Sequence, residues 1–285
     1  MVGLDKLSVY IPITNKPRIV IVGGGFAGIH LAKGLRDKDI QVVMLDRHNY
    51  HTFQPLLYQV ATAGLEPDSI AGPLRKTVKM QDNFYFRMAK VTRINPERKT
   101  ISTIVGELHY DYLVLACGTI TNFFGNKDIE ELSFPIKQIP QSLDLRTHIL
   151  QNFEKAVMTG EGPDMEALMN FVIVGGGPTG VEVAGALSEL RRNVLPKDYP
   201  ELDFNNMKIY LVEGLDRLLN GMSEKSGKKA EKYLKQFGVD VRLGKIVESY
   251  DGKTVYFNDG STIKSETLIW AAGVKGNALD GINED

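Results

Sequence analysis

The run Ile19-Val20-Ile21-Val22-Gly23-Gly24-Gly25-Phe26-Ala27-Gly28 recurs 152 residues later as Phe171-Val172-Ile173-Val174-Gly175-Gly176-Gly177-Pro178-Thr179-Gly180. In each copy a short apolar run feeds into Gly-x-Gly-x-x-Gly and continues with apolar residues at helical spacing. Carried on to Leu35 and Leu187, the copies agree at 9 of 17 positions. One such turn is a weak signal. Two in the same strand–turn–helix setting constrain the whole chain to a repeated α/β plan.

Each glycine has a physical reason to be there. Gly23 and Gly175 let the chain leave a buried strand in a tight turn. Gly25 and Gly177 lack a Cβ, so a pyrophosphate can approach the backbone. Gly28 and Gly180 let the helix lie close to the strand. Phe26, Ala27, Pro178 and Thr179 fall at the helix starts, where free N–H groups and the positive dipole end favour phosphate. A strand-to-helix turn needs no ligand, but its repetition points to two bound dinucleotides, hence to electron transfer between them. The expected fold class is α/β with two Rossmann-like dinucleotide-binding domains.

Acidic strand ends support this reading. Ile40 to Asp46 is a β-rich run ending in a carboxylate 18 residues past Gly28, and Lys208 to Glu213 ends likewise 33 residues past Gly180. Such a carboxylate can accept both hydrogen bonds of an adenosine ribose diol, and Glu213 would repel a 2′-phosphate, favouring NADH over NADPH. The alternative is an ordinary polar strand end. The longer second spacing fits a loop over Asn193 to Asn206, and the nearby Arg217 leaves some NADPH use open.

With a net charge of −1 and no basic block, nothing calls for nucleic acid. The 285 residues allow two cores, no apolar run is long enough to span a membrane, and Met1 to Lys6 lacks the form of a secretory signal. A soluble, cytoplasmic chain is expected. The single cysteine, Cys117, cannot form an internal disulfide, and no metal site is expected from one thiol and scattered histidines. It closes the run Tyr112 to Gly118, which reads as a buried strand, and a small packed thiol is preferred there over a redox one.

Along the chain, residues 18–46 form one β-α-β unit and Phe171 to Glu213 another. Between them, residues 47–66 are irregular, with Pro55 at a helix start, and residues 68–79 are expected to be helical. Residues 84–94 and 99–105 alternate as an antiparallel pair across Asn95 to Arg98, and Leu113 to Ala116 rejoins the first sheet. A long helix is expected from Gln141 to Met158 and another over 223–237, ending at Gly238, followed by strands near 239–249, 253–257 and 261–264. The last strand, Thr267 to Gly273, mirrors Leu113 to Gly118, so Ala116, Gly118, Ala272 and Gly273 offer small residues beside a dinucleotide.

These residues resemble the flavoprotein pyridine nucleotide–disulfide oxidoreductase superfamily, in which an NAD(P)H domain interrupts an FAD domain. Ala116-Cys117-Gly118 and Ala271-Ala272-Gly273 stand where that superfamily usually has Ala-Thr-Gly. Residues 47–66 lack the redox cysteines of its disulfide reductases. Within it, the stretch Asn49 to Leu65 (containing His51-Thr52-Phe53-Gln54-Pro55-Leu56-Leu57-Tyr58-Gln59), Thr121 to Gly125, and Gly175 to Glu182 are similar to type II NADH dehydrogenases, single-chain NADH:quinone oxidoreductases.

The resemblance implies FAD and NADH as cofactors and a quinone as electron acceptor. It implies FAD-domain residues 1–137, an NADH domain over 138–272, and a return to the FAD domain at 273–285. It places Arg47, Gln59 and Val91 with the FAD set, Val247 with the NADH set, and Glu182 near flavin and nicotinamide, coupling quinone reduction to proton uptake. An acid in a first helical turn is also favoured by the dipole alone. His30 holds the same place in the first repeat, where a structural or surface role is expected. Family members continue beyond Asp285 to a Gly-Asp turn, quinone-site residues and an amphipathic region that binds a membrane surface. The chain is therefore expected to be a fragment that holds FAD weakly. Its parent would be peripheral on the inner face of the cytoplasmic membrane, with a homodimer allowed. The rivals are a reductase of a small redox protein and a non-catalytic nucleotide sensor.

Overall fold

The computed structural model describes residues 9–78, 82–159 and 163–282; Met1 to Lys6 lie outside that range. The chain divides into two compact units. Among the described residues, the first takes the chain up to Thr52, then Ala71–Ile120, and Lys275 onward; the second takes Phe53–Ile70 and Thr121–Val274.

In the first unit the β-branched run Arg18–Val22 forms β1, and the glycine turn leads into helix α1, Phe26–Gly34. The chain returns through β2, Gln41–Asp46, β3, Phe84–Met88, and β4, Tyr112–Leu115. These make a parallel sheet in the order β3-β2-β1-β4, the expected product of right-handed crossovers. Val20, Val22, Val43 and Leu45 pack to one side with Val91, Ile94 and Ile101. Ile21, Val42 and Met44 pack to the other with Ile29, Ala32 and Leu74. Central strands buried on both faces are continuously apolar for this reason.

The second unit repeats the plan. Helix α2, Ile139–Thr159, precedes β5, Asn170–Val174; the turn then opens α3, Pro178–Asn193, with Pro178 at the start, where its missing N–H costs nothing. Next come β6, Lys208–Glu213, helix α4, Glu224–Gln236, β7, Val239–Leu243, and β8, Thr267–Trp270. The parallel sheet runs from the short strand Phe134–Pro135 through β8, β5 and β6 to β7. Ser223 caps α4 by accepting from the Ser226 N–H at 3.2 Å, and Gly238 ends it with φ +78°. The repeat includes a three-stranded antiparallel sheet in each unit, Val91–Asn95 with Thr100–Thr103 and Gly106–His109, and Val247–Tyr250 with Thr254–Phe257 and Thr262–Lys264.

Two expectations of secondary structure differ from the structure. The helix expected over 68–79, whose last residue lies outside the described ones, is not formed as one over 68–78: Pro67–Ser69 is a 3-10 turn, Ala71–Pro73 a strand, and only Leu74–Thr77 a short α-helix, because Gly72 and Pro73 break the pattern. Residues 84–88 join the parallel sheet beside β2, and it is Val91–Asn95 that pairs antiparallel with Thr100–Thr103; alternation reports a half-buried strand, not its partner. The compact units part at Thr52/Phe53, Ile70/Ala71, Ile120/Thr121 and Val274/Lys275. Ala61 joins the core of α2 and α3, with Leu145, Ile149, Val183 and Leu187, while Ile129 packs with Val247 and Trp270. This draws residues 53–70 and 121–137 into the second unit.

Candidate dinucleotide sites

The two glycine turns superimpose in their chemistry, residue by residue. Gly23 has φ +113° and Gly175 has φ +111°, conformations open to glycine and closed to almost every other residue. A Cβ on either would strike a backbone carbonyl, that of Ala116 or of Ala271. A Cβ on Gly28 or Gly180 would strike the carbonyl of Gly23 or Gly175, so these glycines let each helix start against its own turn. Around Gly25 and Gly177 a Cβ would meet nothing within 4 Å. The turns are therefore tight underneath and open on top, at the helix N-terminus, and they fit the pyrophosphate of a dinucleotide.

The carboxylates complete the turns. Asp46 Oδ2 accepts from the Gly24 N–H at 2.6 Å and its Oδ1 from the His48 N–H at 2.7 Å. Glu213 Oε2 accepts from the Gly176 N–H at 2.5 Å and its Oε1 from the Leu215 N–H at 2.8 Å. Each carboxylate thus spends one lone pair per oxygen on the protein and keeps others, half-buried at the strand end, for a ribose diol. The middle glycines, absent from the expected site, belong to it. Leu74 occupies the place of a Gly24 side chain and Leu218 that of Gly176. The signal was visible: both copies read Gly-Gly-Gly, but the middle residue sits at a free position of the motif.

The small residues after β4 and β8 also correspond. Gly118, at φ +67°, accepts from the Asn277 N–H at 3.2 Å, and Gly273 from the Asn122 N–H at 3.1 Å. Ala116, Ala272 and Gly273 are half-buried, and Ala271, whose carbonyl supports Gly175, is a further member. Val91 and Val247 each lie beside a β-bulge with their side chains in the core, so only their backbones could meet a nucleotide. Phe26 is 51% exposed, Ala27, Pro178 and Arg47 are exposed, and Thr179 is half-buried. Gln59 belongs to the second unit, apart from the first glycine turn's own unit; its carbonyl accepts from Gly64 and Leu65, and its amide donates to the Tyr58 hydroxyl at 3.2 Å.

Glu182 is the fifth residue of α3, beyond the first turn where it was expected, so the dipole explanation for it weakens. It stands exposed at the helix surface, and desolvation pushes its carboxyl above the ordinary range. His30, its counterpart, is exposed, as expected of a surface residue.

Cys117 is half-buried behind a strand that is less buried than expected. β4 pairs only with β1 among the described residues, leaving Tyr112 63% and Leu115 45% exposed at the sheet edge. The thiol faces the Val22 carbonyl at 3.7 Å, and burial first, then the nearby Asp46 charge, pushes its pKa up. It is therefore a neutral thiol at pH 7 and a poor nucleophile. Cys117→Thr should leave nucleotide binding and any NADH oxidation within about threefold, since threonine keeps the volume and the donor. Loss of electron transfer in a folded, flavin-loaded variant would restore a redox role.

Among the described residues no helix is long and apolar enough to cross a membrane.

Two Rossmann-like units, each with a glycine turn closed by an acidic strand end, define a protein built to hold two dinucleotides. The pyridine nucleotide–disulphide oxidoreductase family profile matches residues 17–283, and the chain belongs to that family. The type II NADH:quinone oxidoreductase Ndh of Mycobacterium tuberculosis is 35% identical over 93% of the chain and 59% of its own length. A second from that organism, NdhA, is 33% identical over 94% and 58%. The structure of NDH2 from Plasmodium falciparum in complex with NADH matches with a TM-score of 0.87 at 24% identity, over 93% of this chain and 56% of that one. The chain spans about three fifths of the length of the curated relatives it matches.

Proposed function

We propose that this chain is the FAD- and NADH-binding part of a type II NADH:quinone oxidoreductase. The observation that carries the reading is the pair of turns closed by Asp46 and Glu213, supported by the names of the relatives. In this reading Gly23, Gly25, Gly28 and Asp46 hold the ADP half of FAD, with Phe26, Ala27, Arg47, Val91, Ala116 and Gly118 around it. Gly175, Gly177, Gly180 and Glu213 hold NADH, with Pro178, Thr179, Val247, Ala272 and Gly273. FAD, when bound, supplies the redox chemistry, taking hydride from NADH and passing electrons to a quinone.

The chain's own residues supply position and charge. The helix starts at Phe26 and Pro178 present N–H groups to the pyrophosphates. Glu213 orients the adenosine of NADH and disfavours a 2′-phosphate. Glu182, whose carboxyl desolvation pushes above the ordinary carboxylate range, is the group placed to pass a proton to a reduced acceptor. No nucleophile takes part, in keeping with the neutral Cys117.

The test is flavin content and quinone-dependent NADH oxidation by the longer, full-length gene product, with Glu182→Gln alongside. Steady turnover with a soluble quinone is expected, and at least tenfold less with Glu182→Gln, the scale of a lost general acid being about 10²–10⁴-fold. Flavin-loaded protein that reduces a ferredoxin-type acceptor but no quinone would overturn the reading.

A further inference from the structure

The two glycine turns are held by different means, and the difference assigns a role to a residue outside the motif. In the second copy the Gly176 carbonyl accepts from the Leu219 N–H at 2.8 Å, while Leu218 fills the space behind Gly176. Both groups come from the loop after β6. In the first copy Leu74 fills the corresponding space, and the Gly24 carbonyl meets His51 Nδ1 at 3.2 Å. His51 sits on the short strand Tyr50–Thr52, opposite Gly72 on Ala71–Pro73, which leads directly into Leu74. A short antiparallel strand pair and a side chain thus replace the loop and the backbone N–H of the other copy.

The consequence follows from peptide geometry. The Gly24 carbonyl and the Gly25 N–H belong to one planar trans peptide and point in opposite directions. Anchoring the carbonyl inward aims the Gly25 N–H outward, toward the open side where a Cβ on Gly25 would meet nothing. Asp46 holds the Gly24 N–H, which belongs to the preceding Gly23–Gly24 peptide, and His51 holds the Gly24–Gly25 peptide that follows it. A carbonyl only accepts, so Nδ1 carries the hydrogen. The ring packs at right angles to that of Phe26, with centroids 4.8 Å apart and planes at 85°.

We propose that His51 is the positioning residue of the first dinucleotide site, orienting the Gly24–Gly25 peptide toward the pyrophosphate of FAD. The proposal rests on the reading of that site as the FAD turn. It predicts that the donor at the Nδ1 position matters, not the imidazole as such. Asparagine places its Nδ2 about where histidine has Nδ1, so His51→Asn can restore the bond and His51→Ala cannot.

The experiment is fluorescence titration of the wild-type chain, His51→Ala and His51→Asn with FAD and, separately, NADH, with hydrogen exchange followed across Gly23–Ala27. His51→Ala should weaken FAD binding roughly five- to tenfold, the scale of one hydrogen bond, and speed exchange in the turn. His51→Asn should stay within about threefold of wild type, and NADH binding should be unchanged in both. Wild-type FAD affinity in His51→Ala, or equal losses in the Ala and Asn variants, would overturn the role of His51 while leaving the function standing. A full-length protein that binds NADH and no FAD would overturn both.

Discussion

Gly175→Ala should abolish NADH binding while leaving FAD binding in place, and Gly23→Ala should do the reverse. At φ +111° and +113° an alanine is strained before any neighbour is considered, by about 1–3 kcal/mol. Its Cβ would also be driven into the Ala271 or Ala116 carbonyl, both backbone atoms of the adjoining strand end. Neither carbonyl can turn aside cheaply. The Ala116 and Ala271 N–H groups are bonded to the carbonyls of Val22 and Val174 at 2.8 Å, which fixes the chain where β4 and β8 end. Strain and collision together should cost about 3 kcal/mol or more, felt as a lower melting temperature of the affected unit and, where the turn rearranges, as at least a hundredfold weaker binding of its nucleotide. Calorimetry with titration of each nucleotide would read both. A Gly175→Ala protein with native melting and native NADH affinity would mean that the second turn is not the NADH site.

What the sequence could disclose divides along a physical line. The turns were legible because each glycine is demanded by a contact within a few residues or by one strand end, and because the demand occurs twice. The continuous apolar runs of β1, β2, β5 and β6 were legible because strands buried on both faces admit little else. Phe84–Met88 was misplaced because its alternation describes exposure, and nothing local says that Val42 to Asp46 lies beside it. Residues 68–79 failed because Gly72 and Pro73 are weak breakers on paper, yet decide the backbone where His51 needs an opposing strand. His51 itself was hidden for a related reason. Its partner, the Gly24 carbonyl, is 27 residues away and carries no side chain to announce the contact, and the second copy does the same work with a backbone N–H that sequence never displays.

Glu213→Gln should raise the NADH dissociation constant roughly ten- to a hundredfold, the worth of hydrogen bonds to a charged group, but the structure changes why. Both oxygens are already engaged, Oε2 by the Gly176 N–H at 2.5 Å and Oε1 by the Leu215 N–H at 2.8 Å. Glutamine must turn its NH₂ toward one of those N–H groups, setting donor against donor, so part of the loss will come from a loosened turn and not from the ribose. A ligand lacking the adenosine 2′-hydroxyl separates the two. If Glu213 grips the diol, wild-type protein should bind NADH about tenfold better than its 2′-deoxy analogue, and Glu213→Gln should bind both alike. NADPH should gain little beyond relief from the negative charge. Arg217, in the loop after Glu213, is turned onto Asn220, with Nε 2.8 Å from the side-chain oxygen and Nη2 2.7 Å from the carbonyl. Asn220→Ala would remove the side-chain contact and leave the carbonyl one, so NADPH affinity should stay low even in the double variant with Glu213→Gln. If Glu213→Gln weakened NADH and the deoxy analogue by the same factor, the carboxylate would be a brace for the glycine turn and nothing more.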